Sequence, residues 1–359
     1  MIKIKKHNSI NIEGKERYEI IDFLKGFSIV TIVLMHLLQV YMKSVPDIIR
    51  KMALFGGTGV HVFFFCSGFG LFVSWMKKKP SFRDFICYRF AKIYVPYIIV
   101  VIISALCPLM YHKPDKFLAV LSHIFLFKMF FPNYEESFGG QFWYLSTLFQ
   151  FYFIFLLLCR LRKCTNRKRF VLIGIGISAV WWCIVAVLGF QDIRVWNSFF
   201  LQYIWEFMFG MAVAEFLQER KSIKISYSVL FVTVILGIGI QSILALKGGA
   251  FKLFNDIPAL FGYGALGIIL YEIFGNVWKK AVFYISKISY EWYLTHILVF
   301  TITFHLLHFK NIYGEIMVSI SAFLISIIVA VIYGKLVKNY REYILFICKL
   351  KDNRYKSKD

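Results

Sequence analysis

The chain has 359 residues, of which 59% are hydrophobic and 17% are charged, and its mean hydropathy is +0.66. This composition excludes a soluble globular domain, because too few polar residues remain to cover the surface, and it also excludes a disordered chain. The net charge of +22 would favour nucleic acid as the partner of a soluble protein. In an integral membrane protein the same charge marks topology and lipid contact, so we expect no nucleic-acid partner.

Ten stretches of the chain are apolar over the roughly 20 residues that a helix needs to cross a bilayer. They cover residues 19–41, 57–76, 93–110, 142–159, 170–190, 195–216, 225–246, 255–275, 288–309 and 312–334. Another apolar run, 117–131, is shorter and is interrupted by His123 and Lys128, which predicts an interfacial or re-entrant segment. The predicted fold class is all-α: a polytopic membrane bundle of about ten transmembrane helices.

Lysine and arginine alternate along the loops between these spans. Both termini and every second loop together hold about three quarters of the 42 basic residues, and cytoplasmic segments carry such an excess. Both termini are therefore predicted to be cytoplasmic, in a multi-pass protein of the cell membrane. We predict a basic tail over 1–18, a transmembrane domain over 19–334 and a second basic tail over 335–359.

The first span carries three titratable residues, Asp22, Lys25 and His36. Such groups are costly inside a membrane and tend to mark functional cavities. Lys25 and His36 are eleven residues apart, which puts them on one helical face with an offset of roughly 20° and about 16 Å apart along the axis. Two plainer interpretations stay open: Lys25 extends to the lipid headgroups, and His36 forms a hydrogen bond with a neighbouring helix.

The second span and the following loop add further polar groups. In the second span, His61 and Ser67 lie among glycines, and a packing role for Ser67 is as well founded as a substrate role. The loop contributes Arg83, Arg89 and Lys92 on the side where Lys25 emerges. That basic group could bind phosphates of an anionic ligand or anchor the helix to anionic lipid.

The ninth span holds Ser289, Tyr293 and His296, whose spacing of four and three residues places them on one helical face. Two histidines on separate spans, His36 and His296, each aligned with other polar groups, favour a shared aqueous cavity. His305, with another histidine three residues later, lacks a neighbouring carboxylate or cysteine, so we predict no metal site.

Five segments occur in an order that resembles a known family. They read K-x10-H over 25–36, F-F-C-S-G-F over 64–69, R-F-A-K-I-Y-V-P-Y over 89–97, W-Y-L-S-T-L-F-Q-F-Y over 143–152 and S-Y-E-W-Y-L-T-H over 289–296. Taken together they resemble acyltransferase family 3, whose members are polytopic membrane acyltransferases, and the resemblance extends over nearly the whole chain. No single motif is decisive, but five in sequence are fairly specific.

The sequence departs from the family pattern at four positions. Lys25 and Lys92 stand where the family typically has arginine, which keeps the charge but loses the bidentate fork for phosphate. Leu148 and Phe149 replace the acidic pair of many members, so no role is predicted for carboxylates there.

The resemblance implies transfer of an acyl group, most often acetyl, from acyl-CoA to a hydroxyl of a cell-surface carbohydrate. Acyl-CoA would be a co-substrate, and no permanently bound cofactor is expected. Its nucleotide end would bind Arg89, Lys92 and Lys25 at the cytoplasmic mouth. Its pantetheine arm, of a length comparable to the separation of Lys25 from His36, would carry the thioester inward.

His36 is the predicted catalytic residue. As neutral imidazole it would act as general base on the acceptor hydroxyl, or alternatively attack the thioester to give an acyl-histidine. Ser67, Trp143, Tyr293 and His296 are the predicted substrate-binding residues.

Two other functions use the same bundle. The chain could export a glycan or a lipid-linked saccharide without acyl transfer, or it could be a scaffold of a glycan-assembly complex. The partners expected for the enzyme are acyl-CoA, a glycan or lipid-linked saccharide and the lipid bilayer, and the chain could form a homo-oligomer. The aligned cation and imidazole of Lys25 and His36 favour catalysis over a scaffold.

Overall fold

The computed structural model describes residues 2–5, 7–10, 16–220, 222–309 and 311–356. Its helices are α1 Glu19–His36, α2 Asp47–Ala53, α3 Gly59–Lys78, α4 Phe82–Arg89, α5 Val95–Leu106, α6 Lys116–Ile124, α7 Trp143–Cys164, α8 Arg167–Leu188, α9 Arg194–Asn197, α10 Phe200–Arg220, α11 Tyr227–Lys247, α12 Asp256–Ile273, α13 Asn276–Lys287, α14 Ser289–Leu306 and α15 Ile312–Lys356. The fold is all-α, as predicted, because the strands are limited to short pairs.

The strands of the described residues are β1 Ile2–Lys5, β2 His7–Ile10, β3 Glu16–Arg17 and β4 Ser222–Ile225. Strand β1 pairs antiparallel with β4, and β2 pairs antiparallel with β3. Three of the four therefore fall within the predicted tail over 1–18. At the other end, α15 continues past residue 334 without a break. The cytoplasmic location of both tails stays a prediction.

Nine helical stretches of the described residues are long and apolar enough to cross a membrane. They are Glu19–Tyr41, Asp47–Lys78, Phe82–Leu106, Gly140–Cys164, Arg167–Leu188, Arg194–Glu219, Tyr227–Lys247, Gly249–Ile273 and Ile312–Ile344. Each of them overlaps one predicted span. The remaining predicted span, 288–309, forms α14, a helix of 18 residues.

Helix α14 has the length of a span but a more polar sequence. Glu291, Thr295 and His296 are all buried within it, and His305 lies in its last turn. These side chains lower its hydropathy without shortening the helix. The short segment predicted not to span forms α6, which has nine residues.

The described residues divide into two compact units, the first from 1–35, 47–78 and 157–289, and the second from 36–46, 79–156 and 290–359. In the first unit, α3 and α10 approach closely through glycines. A Cβ on Gly68 would collide with the backbone carbonyl of Phe207, and one on Gly210 would collide with that of Phe65. Small residues at such crossings let helices pack in membranes, where hydrophobic burial does not drive association.

Two helices of the first unit, α8 and α11, present apolar side chains outward. Val187 and Leu246 are each 86% exposed. In a membrane such faces contact lipid tails. A helix can be exposed to lipid in this way because its backbone N–H and C=O groups form hydrogen bonds within the helix.

Helix α14 is held within the second unit by three hydrogen bonds to other elements of that unit. The indole of Trp292 donates to Ser326 Oγ of α15 at 2.8 Å. The Tyr290 hydroxyl donates to the Ile93 carbonyl at 2.6 Å, and the Tyr293 hydroxyl donates to the Gln141 carbonyl at 2.8 Å. These contacts fix the rotation of α14 about its axis, and with it the direction in which His296 faces.

Candidate active site

His36 lies at the junction of two kinds of helix. Helix α1 ends there, and a π-helical turn follows over Leu37–Tyr41. The Tyr41 hydroxyl is 2.8 Å from Thr301 Oγ1 and donates to the Ile297 carbonyl at 3.2 Å. Since π-helical turns widen the backbone and often occur at functional sites, the turn both anchors this segment to α14 and re-aims the side chains after His36.

The loop after the π-helical turn is fixed by a buried carboxylate. Glu315 of α15 is fully buried and accepts hydrogen bonds from the backbone N–H of Lys43 at 2.7 Å and of Ser44 at 3.1 Å. A charge-assisted bond of this kind is stronger than a neutral one. The segment that follows His36 is thus held at both of its ends.

His36 and His296 form a hydrogen-bonded pair. The Nδ1 atom of His36 is 3.0 Å from Nε2 of His296, and the ring centroids are 5.1 Å apart with the planes inclined by 22°. His296 is fully buried, whereas His36 is only partly buried, so His36 is the more accessible member of the pair. Two histidines that are 260 residues apart in the chain therefore act as one unit.

The backbone determines which nitrogens of this pair carry hydrogen. Nδ1 of His296 lies 2.9 Å from the Trp292 carbonyl, which can only accept, so this nitrogen donates. In a neutral imidazole the other nitrogen is then an acceptor, and His36 must donate to it from Nδ1. The Nε2 atom of His36 is left with a free lone pair, and among the described residues it has no hydrogen-bond partner.

Aromatic side chains adjoin the histidine pair. The Tyr293 ring lies one turn before His296, with centroids 6.5 Å apart, and Tyr144 contacts Tyr293 edge-on at 5.6 Å. Trp143 contacts Tyr144 at 6.3 Å. The structure thus brings His36, His296, Tyr293 and, through Tyr144, Trp143 into one cluster.

Sequence reasoning missed Gln141, which precedes α7. Its backbone carbonyl accepts a hydrogen bond from the Tyr293 hydroxyl, and its side-chain Oε1 is buried without a hydrogen-bond partner in the described part of the chain. A buried acceptor without a donor is costly and suggests a ligand or water that supplies one. No local pattern indicates this, because Gln141 lies in a short 3-10 turn over Gly140–Phe142 rather than on a periodic face.

Arg89 and Lys92 lie close together in the second unit, at the end of α4 and in a π-helical turn over Phe90–Tyr94. The Arg89 guanidinium lies over the rings of Tyr88 at 5.2 Å, Phe85 at 5.4 Å and Tyr152 at 5.7 Å. Its Nε atom is buried and has no hydrogen-bond partner within the described ranges. An arginine stacked in this way is positioned by aromatic faces while its fork stays able to bind an anion.

The remaining predicted site residues, Lys25 and Ser67, belong to the first unit. Lys25 lies in the second turn of α1, eleven residues before His36, and is partly buried. Ser67 lies near the middle of α3 and is also partly buried. Their predicted roles stay predictions.

Comparison with known proteins identifies the family of the chain. A family model described as an acyltransferase domain, that of acyltransferase family 3, matches residues 18–335. The chain belongs to acyltransferase family 3. Neither a curated protein nor a solved structure matches it significantly. The protein is therefore a membrane acyltransferase, and the matched region includes every predicted site residue.

Two apolar residues of the acyltransferase, Leu148 and Phe149, stand at the positions where the family pattern has an acidic pair. Leu148 and Phe149 are buried, and the Phe149 ring contacts those of Phe90, Tyr94 and Tyr152 at 5.5 to 5.8 Å. At one of these two positions, Phe149 thus packs within a cluster of aromatic rings.

A second polar cluster in the acyltransferase was only partly indicated by its sequence. His61 was noted as a polar residue of the second span, but its partners Glu206 and Asp256, in the first unit, were not. Glu206 lies within the apolar sequence of α10, and a carboxylate in a span is itself a signal of function. Only the packing of α3, α10 and α12 brings the three side chains together.

Proposed function

We propose that this acyltransferase moves an acyl group, most simply acetyl, from acyl-CoA at the cytoplasmic side to a hydroxyl of a cell-surface or lipid-linked glycan. The free lone pair on Nε2 of His36 is the observation that carries the proposal. It belongs to a partly exposed neutral imidazole whose tautomer is fixed. That is what a general base needs to accept a proton from a substrate hydroxyl.

The proposed reaction is a direct transfer of the acyl group from the thioester to the hydroxyl oxygen. The acceptor hydroxyl gives its proton to Nε2 of His36 while its oxygen attacks the thioester carbonyl. The tetrahedral intermediate collapses with cleavage of the carbon–sulfur bond, and the CoA thiolate takes the proton from His36. An oxygen ester and free CoA are the products.

His296 supports this step without touching the substrate. When His36 is protonated, its Nδ1–H bond to the lone pair of His296 becomes charge-assisted and therefore stronger. The Trp292 carbonyl prevents His296 from rotating to present its own N–H instead. His296 is thus proposed as the residue that orients His36 and stabilises its cationic form.

The chemistry of the predicted site residues supports the proposed substrates. Arg89 and Lys92 are proposed to bind the phosphates of acyl-CoA, together with Lys25 from the same helix as His36. Trp143 and Tyr293 are proposed to contact the acceptor glycan, since sugar rings stack on aromatic faces. Ser67 is retained as a proposed substrate contact.

The direct test follows a labelled acetyl group from acetyl-CoA to the surface glycans of cells that carry the wild-type chain or the His36→Ala variant. At equal amounts of inserted protein, we expect the His36→Ala chain to label the glycan far more slowly than the wild-type chain. The matched control is His305→Ala, an exposed histidine of α14, which should transfer label normally. Transfer of label by the His36→Ala chain at a rate close to that of the wild type would contradict the proposal.

Two further outcomes separate the alternatives. A labelled chain isolated after acid quenching without acceptor would indicate an acyl-histidine and exclude the general-base step. Movement of glycan across the membrane without acyl-CoA, at the same rate in wild-type and His36→Ala chains, would identify an exporter.

A further inference from the structure

Three titratable side chains converge in the first unit, away from the histidine pair. His61 lies in the first turn of α3, Glu206 lies in α10, and Asp256 is the first residue of α12. One donor atom from each lies within 4.8 Å of the others. The Glu206 side chain is fully buried, and those of Asp256 and His61 are only 6% and 15% exposed. Two carboxylates so close together in a membrane span need positive charge beside them.

The two nitrogens of His61 have different surroundings. Nδ1 is 2.6 Å from Glu206 Oε1, which is a short hydrogen bond. Nε2 is 3.9 Å from Asp256 Oδ1, which is too long for a hydrogen bond. Nitrogen and oxygen ligands lie at about 2.0–2.2 Å from a zinc-like ion, so these two atoms bracket a position for one cation.

Two buried oxygens beside the cluster have no hydrogen-bond donor among the residues that the structure describes. Gln202 donates from Nε2 to Asp256 Oδ2 at 2.8 Å and to the Leu253 carbonyl at 3.0 Å, which orients both groups. Its Oε1 atom is unpartnered, and so is Oε2 of Glu206. Both side chains are at least 98% buried. Orphan acceptors of this kind indicate that something else supplies positive charge or hydrogen.

Neither of two simpler accounts satisfies these oxygens. The helix dipole favours a carboxylate in the first turn of α12, where Asp256 lies, but Glu206 is the seventh residue of α10 and lies beyond that effect. A proton on Glu206 would supply the bond to His61 Nδ1, yet Glu206 Oε2 and Gln202 Oε1 would still lack donors.

We propose that this cluster binds one divalent transition-metal ion. His61 Nε2 and Asp256 Oδ1 coordinate the ion, while Glu206 accepts the Nδ1–H of His61 and Gln202 holds the other oxygen of Asp256. Hydrogen bonds from carboxylates and amides orient metal-binding side chains in this way in many sites. Water molecules on the ion donate to the unpartnered oxygens of Glu206 and Gln202.

The donor set indicates the class of ion. Imidazole suits zinc and similar transition metals, and carboxylate suits Mn²⁺, whereas Mg²⁺ and Ca²⁺ prefer oxygen ligands alone. The ion would join α3, α10 and α12 of the first unit. The inference does not depend on the proposed chemistry of His36, because it uses other residues and has its own measurement.

The test uses the full chain purified in detergent. The protein is stripped with a chelator, incubated with Zn²⁺, Mn²⁺ or Mg²⁺, desalted, and measured by elemental mass spectrometry and by thermal unfolding. We expect roughly one Zn²⁺ or Mn²⁺ per chain and an unfolding temperature several degrees higher, with no retained Mg²⁺.

Conservative variants assign the ion to this cluster. Asp256→Asn keeps the shape of the side chain but loses its charge, and it should reduce ion binding at least tenfold. Glu206→Gln should weaken binding about 10- to 100-fold, the range measured for residues that orient metal ligands. Asp192→Asn is the matched control, because this exposed aspartate of the same unit pairs with Lys252 at 3.8 Å and lies outside the cluster, and the variant should bind the ion normally.

Three outcomes decide the proposal. A stripped wild-type chain that takes up neither Zn²⁺ nor Mn²⁺ would overturn it and leave the cluster as a site for protons. An ion that Asp256→Asn and Glu206→Gln retain as fully as Asp192→Asn would place the metal elsewhere and overturn it as well. The His36→Ala chain should keep its ion while losing acyl transfer, so that failure of one proposal is distinguishable from failure of the other.

Discussion

Each of the two units contains a buried histidine site, and the two sites use imidazole in opposite ways. In the second unit, a backbone carbonyl orients His296, which in turn orients His36 through a bond of 3.0 Å. In the first unit, His61 lies between Glu206 and Asp256, with one carboxylate at each ring nitrogen. The histidines of the second unit have neutral hydrogen-bond partners, and His36 is partly exposed. The imidazole of His61 lies between two acidic side chains instead.

The difference shows how the neighbours of a histidine select its chemistry. A neutral acceptor fixes the tautomer but leaves a lone pair available, which suits proton transfer with a substrate. Two carboxylates beside the ring, one of them hydrogen-bonded to it, accumulate negative charge, which suits the retention of a cation. The number of histidines in a membrane span therefore says less than the charge of the groups that contact them.

The largest effect should come from breaking the histidine pair. His36→Ala should lower the rate of acyl transfer about 10³-fold, because general-base catalysis contributes on that order. His296→Ala should lower it about 10²-fold, since it only orients His36. Rates of label transfer per amount of inserted protein measure both effects.

The double variant sharpens this prediction. Because His296 acts through His36, the chain with both substitutions should be no slower than His36→Ala alone. If the two losses of transfer rate multiply in the double variant, His296 has a role independent of His36. The contrast between the histidine pair and the cluster of His61, Glu206 and Asp256 would then fail.

A smaller effect should follow from disturbing the packing of α3 against α10, the helices that carry His61 and Glu206. Gly68→Ala places a methyl group against the Phe207 backbone and should destabilise the protein by about 1–3 kcal/mol. Gly70→Ala is the matched control, because a Cβ there contacts nothing within 4 Å, and it should be neutral or slightly stabilising. Thermal unfolding in detergent compares the two, and equal unfolding temperatures would show that α3 and α10 tolerate a wider separation.

The smallest effect concerns a fourth histidine, His123 of α6, whose hydrogen-bond partners Tyr97 and Ser137 are neutral. It accepts from Tyr97 at 2.7 Å and donates from Nε2 to the Ser137 carbonyl at 3.0 Å. Burial, and then the nearby Lys128 ammonium, hold the pKa of His123 well below the usual 6.5. The unfolded chain therefore binds a proton that the folded chain does not.

The stability contributed by neutral His123 is present above pH 6.5 and is lost as the pH falls below that value. Each unit of pH below it should cost up to about 1.4 kcal/mol. His123→Gln can make the same two hydrogen bonds and should flatten the decline. Unfolding temperatures between pH 7 and pH 5 provide the measurement, and parallel curves for the two chains would contradict the assignment.

Much of the candidate active site could be predicted from the sequence because its residues are conspicuous. His36 and His296 stand out as titratable groups in apolar spans, and the motif order indicates the family that the match over residues 18–335 confirms. Gln141 could not be predicted, since its role depends on an unpaired oxygen. Glu206 is as conspicuous as His36, yet without a partner in the local sequence its meaning was not evident.

The membrane class, nine of the spans and the family follow from the sequence alone, because hydropathy and helical periodicity are local properties of the chain. The contact between His36 and His296, the tautomer of both rings and the meeting of His61 with Glu206 and Asp256 were decided only by the tertiary structure. These depend on which faces of distant helices pack together. That choice is made by many small contacts, such as those of Gly68 and Trp292, that no single stretch of sequence contains.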